Sequence, residues 1–258
     1  MIIVSHTDIG MKRKTNQDFH ITKKYSARTC LCVVCDGMGG AKGGEEASKI
    51  AAKQFVACMD DFLEPYIGNK DKEVSAGEIK KALKTALALA NEAVYRYART
   101  HLGMKGMGTT LVATLIIGRT VFAINVGDSR VYFLKGNKIK QVTKDHSYVQ
   151  YLIDAGQISS EEACTSPNKN VITRAVGTES DVEGDVYKEN VTEGTFVLLC
   201  TDGLINFVDN ATMCDIVSND CSARIVDEIG LKIRVRKLVD TANNNGGSDN
   251  ITAVLVRL

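Results

Sequence analysis

The sequence predicts an α+β fold in one domain, with helices layered on both faces of a β-sandwich. Two observations carry this. Short runs rich in β-branched and aromatic residues follow one another across brief turns, which argues for antiparallel pairing and against alternating βαβ units. Helices cluster in two blocks, one in the first third of the chain and one near its end.

The chain opens as strand, strand, then two long helices. Between Glu45 and Phe62, the residues Ala47, Ile50, Ala51, Phe55 and Cys58 share one helical stripe. Ile79, Leu83, Leu87, Ala90, Val94 and Tyr97 form a second stripe of the same kind. Three strands are expected next, over Thr110 to Ile117, Val121 to Val126 and Arg130 to Leu134, bounded by Gly118, Gly127 and Gly136. Lys135-Gly136-Asn137-Lys138 reads as a hairpin turn, since Gly and Asn tolerate positive φ. Ser147 to Asn170 becomes helical and then polar, an excursion from the sheet that ends in Ser166-Pro167-Asn168. Strands are expected to resume around Val171, at Val182 to Val186 and at Phe196 to Cys200. Two helical stretches follow, and Ile251 to Arg257 closes the chain as a strand.

Composition narrows the function. The 258 residues suit one large domain or two small ones, so length alone does not decide between them. Lys plus Arg total 32 against 31 for Asp plus Glu, a balance that argues against a nucleic-acid partner, whose phosphates require a basic excess. The densest basic stretch, Lys232 to Lys237, follows Asp227 and Glu228 in a helical pattern and is expected to be a solvated face. No run reaches about 18 uninterrupted apolar residues, and the start lacks a leader pattern, so no membrane contact is expected. Cys30-x-Cys32-x-x-Cys35 alternates between the faces of a strand and has no second ligand pair, which favours buried reduced thiols in the cytoplasm over zinc.

The chemistry lies in how strands end. Leu31 to Cys35 runs into Asp36-Gly37, Phe196 to Thr201 runs into Asp202-Gly203, and Val121 to Val126 runs into Gly127-Asp128. A fourth acid, Asp249 in Gly246-Gly247-Ser248-Asp249-Asn250, begins the last strand. One Asp-Gly after a strand is a turn; four acidic strand ends at one rim repel one another unless a cation neutralises them. Hard oxygen donors favour Mg²⁺ or Mn²⁺, while calcium or a purely structural site fits the same spacing. Arg13 stands five positions before another acid, Asp18, and its planar fork suits two phosphate oxygens. Gly103-x-x-x-x-Gly108-Thr109-Thr110 lacks the lysine of a P-loop, and Gly37-x-Gly39 meets Lys42 where a dinucleotide fingerprint needs Gly or Ala.

Six motifs together resemble a known family. Arg13-x-x-Asn16-Gln17-Asp18, Val34-Cys35-Asp36-Gly37-Met38-Gly39-Gly40, Gly108-Thr109-Thr110, Asn125-Val126-Gly127-Asp128-Ser129-Arg130, Thr201-Asp202-Gly203 and Gly247-Ser248-Asp249-Asn250 occur in the order seen in metal-dependent Ser/Thr protein phosphatases. This is the PPM, or type 2C, family, and the likeness is greatest to its bacterial branch. The resemblance implies an αββα sandwich, two antiparallel sheets flanked by helix pairs, with a dinuclear Mn²⁺ or Mg²⁺ centre at one end. It implies Asp36 as the bridging carboxylate, the Gly37 carbonyl on one ion, and Asp202 and Asp249 as direct ligands of the other. Asp18 is then an acid acting through metal-bound water. Asp128 with Asp202 holds a third, weaker ion, and Arg13 binds phosphate.

The implied reaction is hydrolysis of phosphoserine and phosphothreonine by a metal-bridged hydroxide, opposing Ser/Thr kinases. Phosphorylated proteins and those kinases are the implied partners, and the chain is expected to be a monomer. Many eukaryotic members carry His where this chain has Met38, so the general acid must lie elsewhere. Water on the third ion near Asp128 is the candidate and His146 the alternative. Residues 147–174 correspond to a flap beside the substrate entrance. A non-catalytic phosphatase-like regulatory domain is the alternative function, although such a domain would be expected to lose metal ligands that are all present here. Because Asp18, Asp36, Asp202 and Asp249 span most of residues 1–258, one site made from them favours a single domain.

Overall fold

The computed structural model describes residues 1–67, 74–219 and 227–258. Strands β1 (Ile2–Asp8), β2 (Asp18–Lys24) and β3 (Thr29–Met38) come first, followed by helices α1 (Gly40–Leu63) and α2 (Ala76–Thr100). The middle of the chain is β4 (Gly108–Thr109), β5 (Leu111–Ile117), β6 (Thr120–Val126), β7 (Arg130–Lys135) and β8 (Lys138–Gln141). Short helices α3 (Tyr148–Asp154) and α4 (Ser160–Thr165) precede β9 (Asp185–Asn190) and β10 (Phe196–Cys200). The last elements are α5 (Asp202–Ile205), α6 (Asn210–Cys214), α7 (Glu228–Asn244) and β11 (Ile251–Arg257).

The strands form two antiparallel sheets. One runs β1-β11-β10-β7-β8; the other runs β2-β3-β5-β6-β9, with β4 paired to the end of β3. Alternation along each strand builds the layers. In β3, Leu31, Val33 and Cys35 face α1 and α2, whereas Cys30, Cys32 and Val34 face the other sheet. In β10, Phe196, Leu198 and Cys200 pack toward α7, and Val197 and Leu199 fill the space between sheets. Both faces of these strands are therefore dry, which is why they read as unbroken apolar runs. The result is the expected four-layer αββα sandwich. One outer layer is the pair α1 and α2; the other is α7 accompanied by the short α5 and α6.

Several expectations shift in detail. Three strands precede the first helix, not two. The strand expected at Val182 to Val186 is β9, which begins at Asp185 and pairs with β6. Its residues Lys188, Glu189 and Asn190 hide the pattern because β9 is a sheet edge, where charged side chains are ordinary. Around Val171 there is only an isolated bridge between Ser147 and Ile172. The basic stretch on α7 is not a uniformly solvated face. Arg234 is 4% exposed, donates from Nη1 to the Val217 carbonyl at 2.6 Å, and lies 5.6 Å from the Phe196 ring centroid. Cys30, Cys32, Cys35 and Cys200 are buried free thiols, and Cys221 lies outside the described residues.

Candidate metal centre

Antiparallel pairing puts the end of one strand beside the start of the next, so acids far apart in sequence share a rim. Asp18 opens β2 directly opposite Asp36 on β3. Asp202 follows β10, Asp249 lies just before β11, and β10 and β11 are neighbours. Asp128 sits in the turn from β6 to β7. Arg13, Asp36, Gly37, Asp128, Asp202 and Asp249 line a single cleft of about 460 Å³, together with Met38 and with Asn170 and Ile172 from the segment after Ser147. Asp18 is buried and does not line that cleft.

Backbone clamps hold the acids in place. The Asp36 N–H donates to Thr110 Oγ1 at 3.0 Å, and the Asp36 carbonyl accepts from Thr109 Oγ1 at 2.8 Å and the Thr110 N–H at 2.9 Å. Gly37 is required by space: a Cβ there would stand 2.0 Å from the Gly44 carbonyl oxygen and 2.7 Å from that of Gln17. Asn250 ties down the loop that carries Arg13, donating from Nδ2 to the carbonyls of Ile9 (2.9 Å) and Thr15 (3.0 Å) and accepting from the Gln17 N–H (2.8 Å). Arg130, the last residue of the Asn125 to Arg130 motif, pairs with Asp145 through Nε and Nη2 at 2.7 to 3.0 Å. Its contribution is to hold the β7 end of the Asp128 turn. Sequence reasoning had singled out neither Asp145 nor the Asn250 clamp; only the arrangement of loops in space reveals them.

The cluster is electrostatically unsatisfied. Burial, and then the charges of Asp18, Asp202, Asp128 and Asp249, raise the Asp36 carboxyl well above the usual range. Burial pushes Asp18 up to about 7, even though Thr252 Oγ1 (2.7 Å) and Thr201 Oγ1 (2.9 Å) donate to its Oδ2. Burial followed by Asp202 pushes Asp128 up to about 8, and burial followed by Asp249 raises Asp202. The buried Oδ1 atoms of Asp18 and Asp202 have no hydrogen-bond partner. Arg13 Nη2 meets Asp249 Oδ2 at 2.6 Å, a bond that raises the guanidinium's own pKa.

Carboxylates facing each other across a strand pair, with orphaned oxygens, form a hard-oxygen donor set that fits divalent cations. Among the described residues no group of three or more His, Cys, Asp or Glu side chains is drawn into a finished cage as it stands. Asp249, for example, turns one oxygen to Arg13. His146 is buried away from the cleft, with Nδ1 accepting from the Gly127 N–H at 3.2 Å and Nε2 3.4 Å from Asp185. Burial lowers its pKa.

An αββα sandwich with an acidic cleft at the sheet ends suits a metal-dependent hydrolase. Residues 10–243 match the family model of protein phosphatase 2C, and the chain belongs to that family of metal-dependent protein serine/threonine phosphatases. It is 35% identical over 250 residues to the serine/threonine phosphatase Stp of Listeria welshimeri, covering 97% of this chain and 93% of that relative. The crystal structure of the serine/threonine phosphatase Stp1 from Staphylococcus aureus superposes with a TM-score of 0.84 at 31% identity, covering 100% of this chain and 95% of Stp1. The catalytic domain of the phosphatase PstP, solved in complex with two manganese ions, superposes with a TM-score of 0.77 at 30% identity, covering 98% and 96% of the two chains.

Proposed function

We propose that the cleft is a dinuclear Mn²⁺ or Mg²⁺ centre with which this chain hydrolyses phosphoserine and phosphothreonine in proteins. The enzyme is a protein serine/threonine phosphatase, and phosphoproteins are its substrates. The observation that carries the site assignment is the convergence of Asp36, Asp128, Asp202 and Asp249 with Arg13 around one cleft. Asp36 would serve both ions, the Gly37 carbonyl would serve one of them, and Asp202 and Asp249 would hold the other. Asp18 acts from behind Asp36 through water. Asp128 and Asp202 are assigned to a third, weaker ion. Bound there, divalent cations neutralise the cluster and acidify water at neutral pH.

The remaining work falls to the chain's own groups. Arg13 is half exposed, so it can exchange Asp249 for two phosphate oxygens and bear the charge that develops on them. The Thr109 and Thr110 bonds hold the Asp36 backbone rigid, so its carboxylate needs little reorganisation. The proton for the leaving alkoxide is assigned to the Asp128 side of the cleft. Met38 has none to give, and the buried His146 ring is held by Gly127, Asp185 and Arg174.

Arg13 and Asp249 reach one cleft from opposite ends of the sequence, which supports residues 1–258 as one catalytic domain. The flap assignment to residues 147–174 is supported by its closed base, where the Tyr148 N–H donates to the Val171 carbonyl and the Thr173 N–H to that of His146, both at 2.8 Å. Among the described residues Cys30, Cys32, Cys35, Cys58, Cys200 and Cys214 are free thiols, in keeping with a cytoplasmic enzyme opposing Ser/Thr kinases. No helix among the described residues is long and apolar enough to cross a membrane.

The test is Mn²⁺-dependent release of phosphate from a phosphothreonine peptide. Chelation or Asp36→Asn is expected to reduce release to background. Turnover that survives chelation overturns the proposal, and a folded, Mn²⁺-loaded wild type that binds the peptide without turnover supports the non-catalytic alternative.

A further inference from the structure

A second cavity, of about 800 Å³, opens where α2 ends. Arg99, His101 and Lys105 line it, and no carboxylate does. Among the described residues neither Arg99 nor Lys105 forms an ion pair. Arg99 is instead held by Tyr95, donating from Nη1 to its hydroxyl at 2.8 Å with the guanidinium 5.4 Å from the ring centroid. His101 is fixed likewise, stacked on Tyr97 with ring centroids 3.7 Å apart. Arg99 is thus held in place by an aromatic ring, and among the described residues Arg99 and Lys105 have no counter-charge, so an arriving anion would meet two unpaired cations.

The wall between this cavity and the catalytic cleft is one segment of chain thick. Met38 and Gly39 line the cleft, while Gly106 and Thr178 line the cavity. A Cβ on Gly39 would stand 2.6 Å from Met107 Cα and 3.0 Å from the Gly106 carbonyl oxygen. One on Gly108 would stand 3.0 Å from Met38 Cε and 2.7 Å from Thr178 Cγ2. The strip from Gly106 to Gly108 therefore has the cleft on one side and the basic cavity on the other.

We propose that the cavity is a specificity subsite, taking an anionic side chain that lies a few residues from the phosphoserine or phosphothreonine seated in the cleft. This rests on the phosphatase reading above. The ligand chemistry is a carboxylate or a second phosphate on the same polypeptide. An extended peptide advances about 3.3 Å per residue, so an anion a few positions from the seated phosphoresidue reaches across the strip. Arg99 supplies a planar fork and Lys105 a mobile point charge, a pair that accepts either anion without demanding one geometry.

The experiment uses the Mn²⁺-loaded enzyme and phosphothreonine peptides carrying Glu at the third to sixth positions on the N-terminal or the C-terminal side, with Gln peptides as controls. The Glu peptide of one polarity is expected to show kcat/KM about 3- to 10-fold above its Gln control, through KM, with the advantage shrinking as salt rises. Arg99→Gln with Lys105→Gln is expected to erase that advantage while leaving the Gln peptides and p-nitrophenyl phosphate unchanged. Peptides with phosphoserine in place of Glu distinguish a doubly phosphorylated segment from an acidic one. A gain with either anion that is lost in the double variant upholds the subsite. Equal rates for Glu, phosphoserine and Gln peptides of both polarities overturn it, as does a gain that survives the double variant. Failure of the phosphatase reading itself is separate, because then no peptide and no p-nitrophenyl phosphate is turned over with Mn²⁺.

Discussion

Removing the cations should make the stability of this enzyme fall as pH rises, the reverse of ordinary acid denaturation. Asp18 is pushed from 3.8 to about 7 and Asp128 from 3.8 to about 8, each mainly by burial. A carboxyl whose folded pKa is raised holds its proton in the native state while the unfolded chain has lost it. Stability is therefore complete below the unfolded pKa and is lost as pH climbs toward the folded one. Integrated between pH 6 and pH 8, the loss is about 1 kcal/mol from Asp18 and about 2 kcal/mol from Asp128. Together the two come to about 4 kcal/mol before rounding; both groups sense Asp202 and do not titrate independently, and Asp36 and Asp202, raised in the same direction, steepen the fall. His20 and His146, whose pKa values burial lowers, act in the opposite sense, and chiefly below pH 6.5. The assay is urea unfolding of the chelated protein across pH 6 to 8, repeated with Mn²⁺. Mn²⁺ should restore stability most at pH 8, and Asp18→Asn should flatten part of the metal-free slope. A chelated protein equally stable or more stable at pH 8 than at pH 6 would refute the placement of these carboxyls in an unneutralised buried cluster.

Two substitutions probe the scaffold and the proton path. Gly37→Ala puts a methyl 2.0 Å from the Gly44 carbonyl oxygen, so a loss of about 3 kcal/mol in unfolding free energy is expected along with phosphatase activity; a variant of wild-type stability would contradict the close approach. Asp128→Ala should lower kcat on a phosphothreonine peptide by about a hundredfold and change the pH profile with KM little altered, whereas an unchanged rate and profile would remove the leaving-group proton from this side of the cleft.

Much of the architecture was legible because burial on both faces writes itself into a strand. β10 and β11 were read at Phe196–Cys200 and Ile251–Arg257 since nearly every side chain along them meets an apolar layer. β9 was misplaced for the opposite reason: an edge strand pairs on one side only and keeps charged residues, so its pattern resembles a loop. Arg234 was misread because a local charge pattern cannot report that a carbonyl from another segment, Val217, waits beneath the helix.

The division at the cleft is sharper. Asp36-Gly37, Asp202-Gly203 and Gly127-Asp128 were visible as acids at strand ends, because an abrupt change from apolar run to Asp beside Gly is a one-dimensional signal, and Asp249, two positions after Gly247, was visible as the acid before the last strand. That signal also pointed to the chemistry, since gathered carboxylates repel one another until a cation or a proton neutralises them. Pair geometry is different in kind. Asp18 faces Asp36 only through the β2–β3 register, Thr201 and Thr252 hold Asp18 from the other sheet, and Arg130 finds Asp145 across a hairpin. The wall shared by cleft and basic cavity arises only when residues 106–108 are packed between Gly39 and Thr178. By itself the sequence determined which side chains are available and at which strand ends they lie. Their separations, their burial and their raised pKa values were decided by the tertiary structure, because electrostatic energies depend on distance and solvent access, and neither is encoded in sequence order.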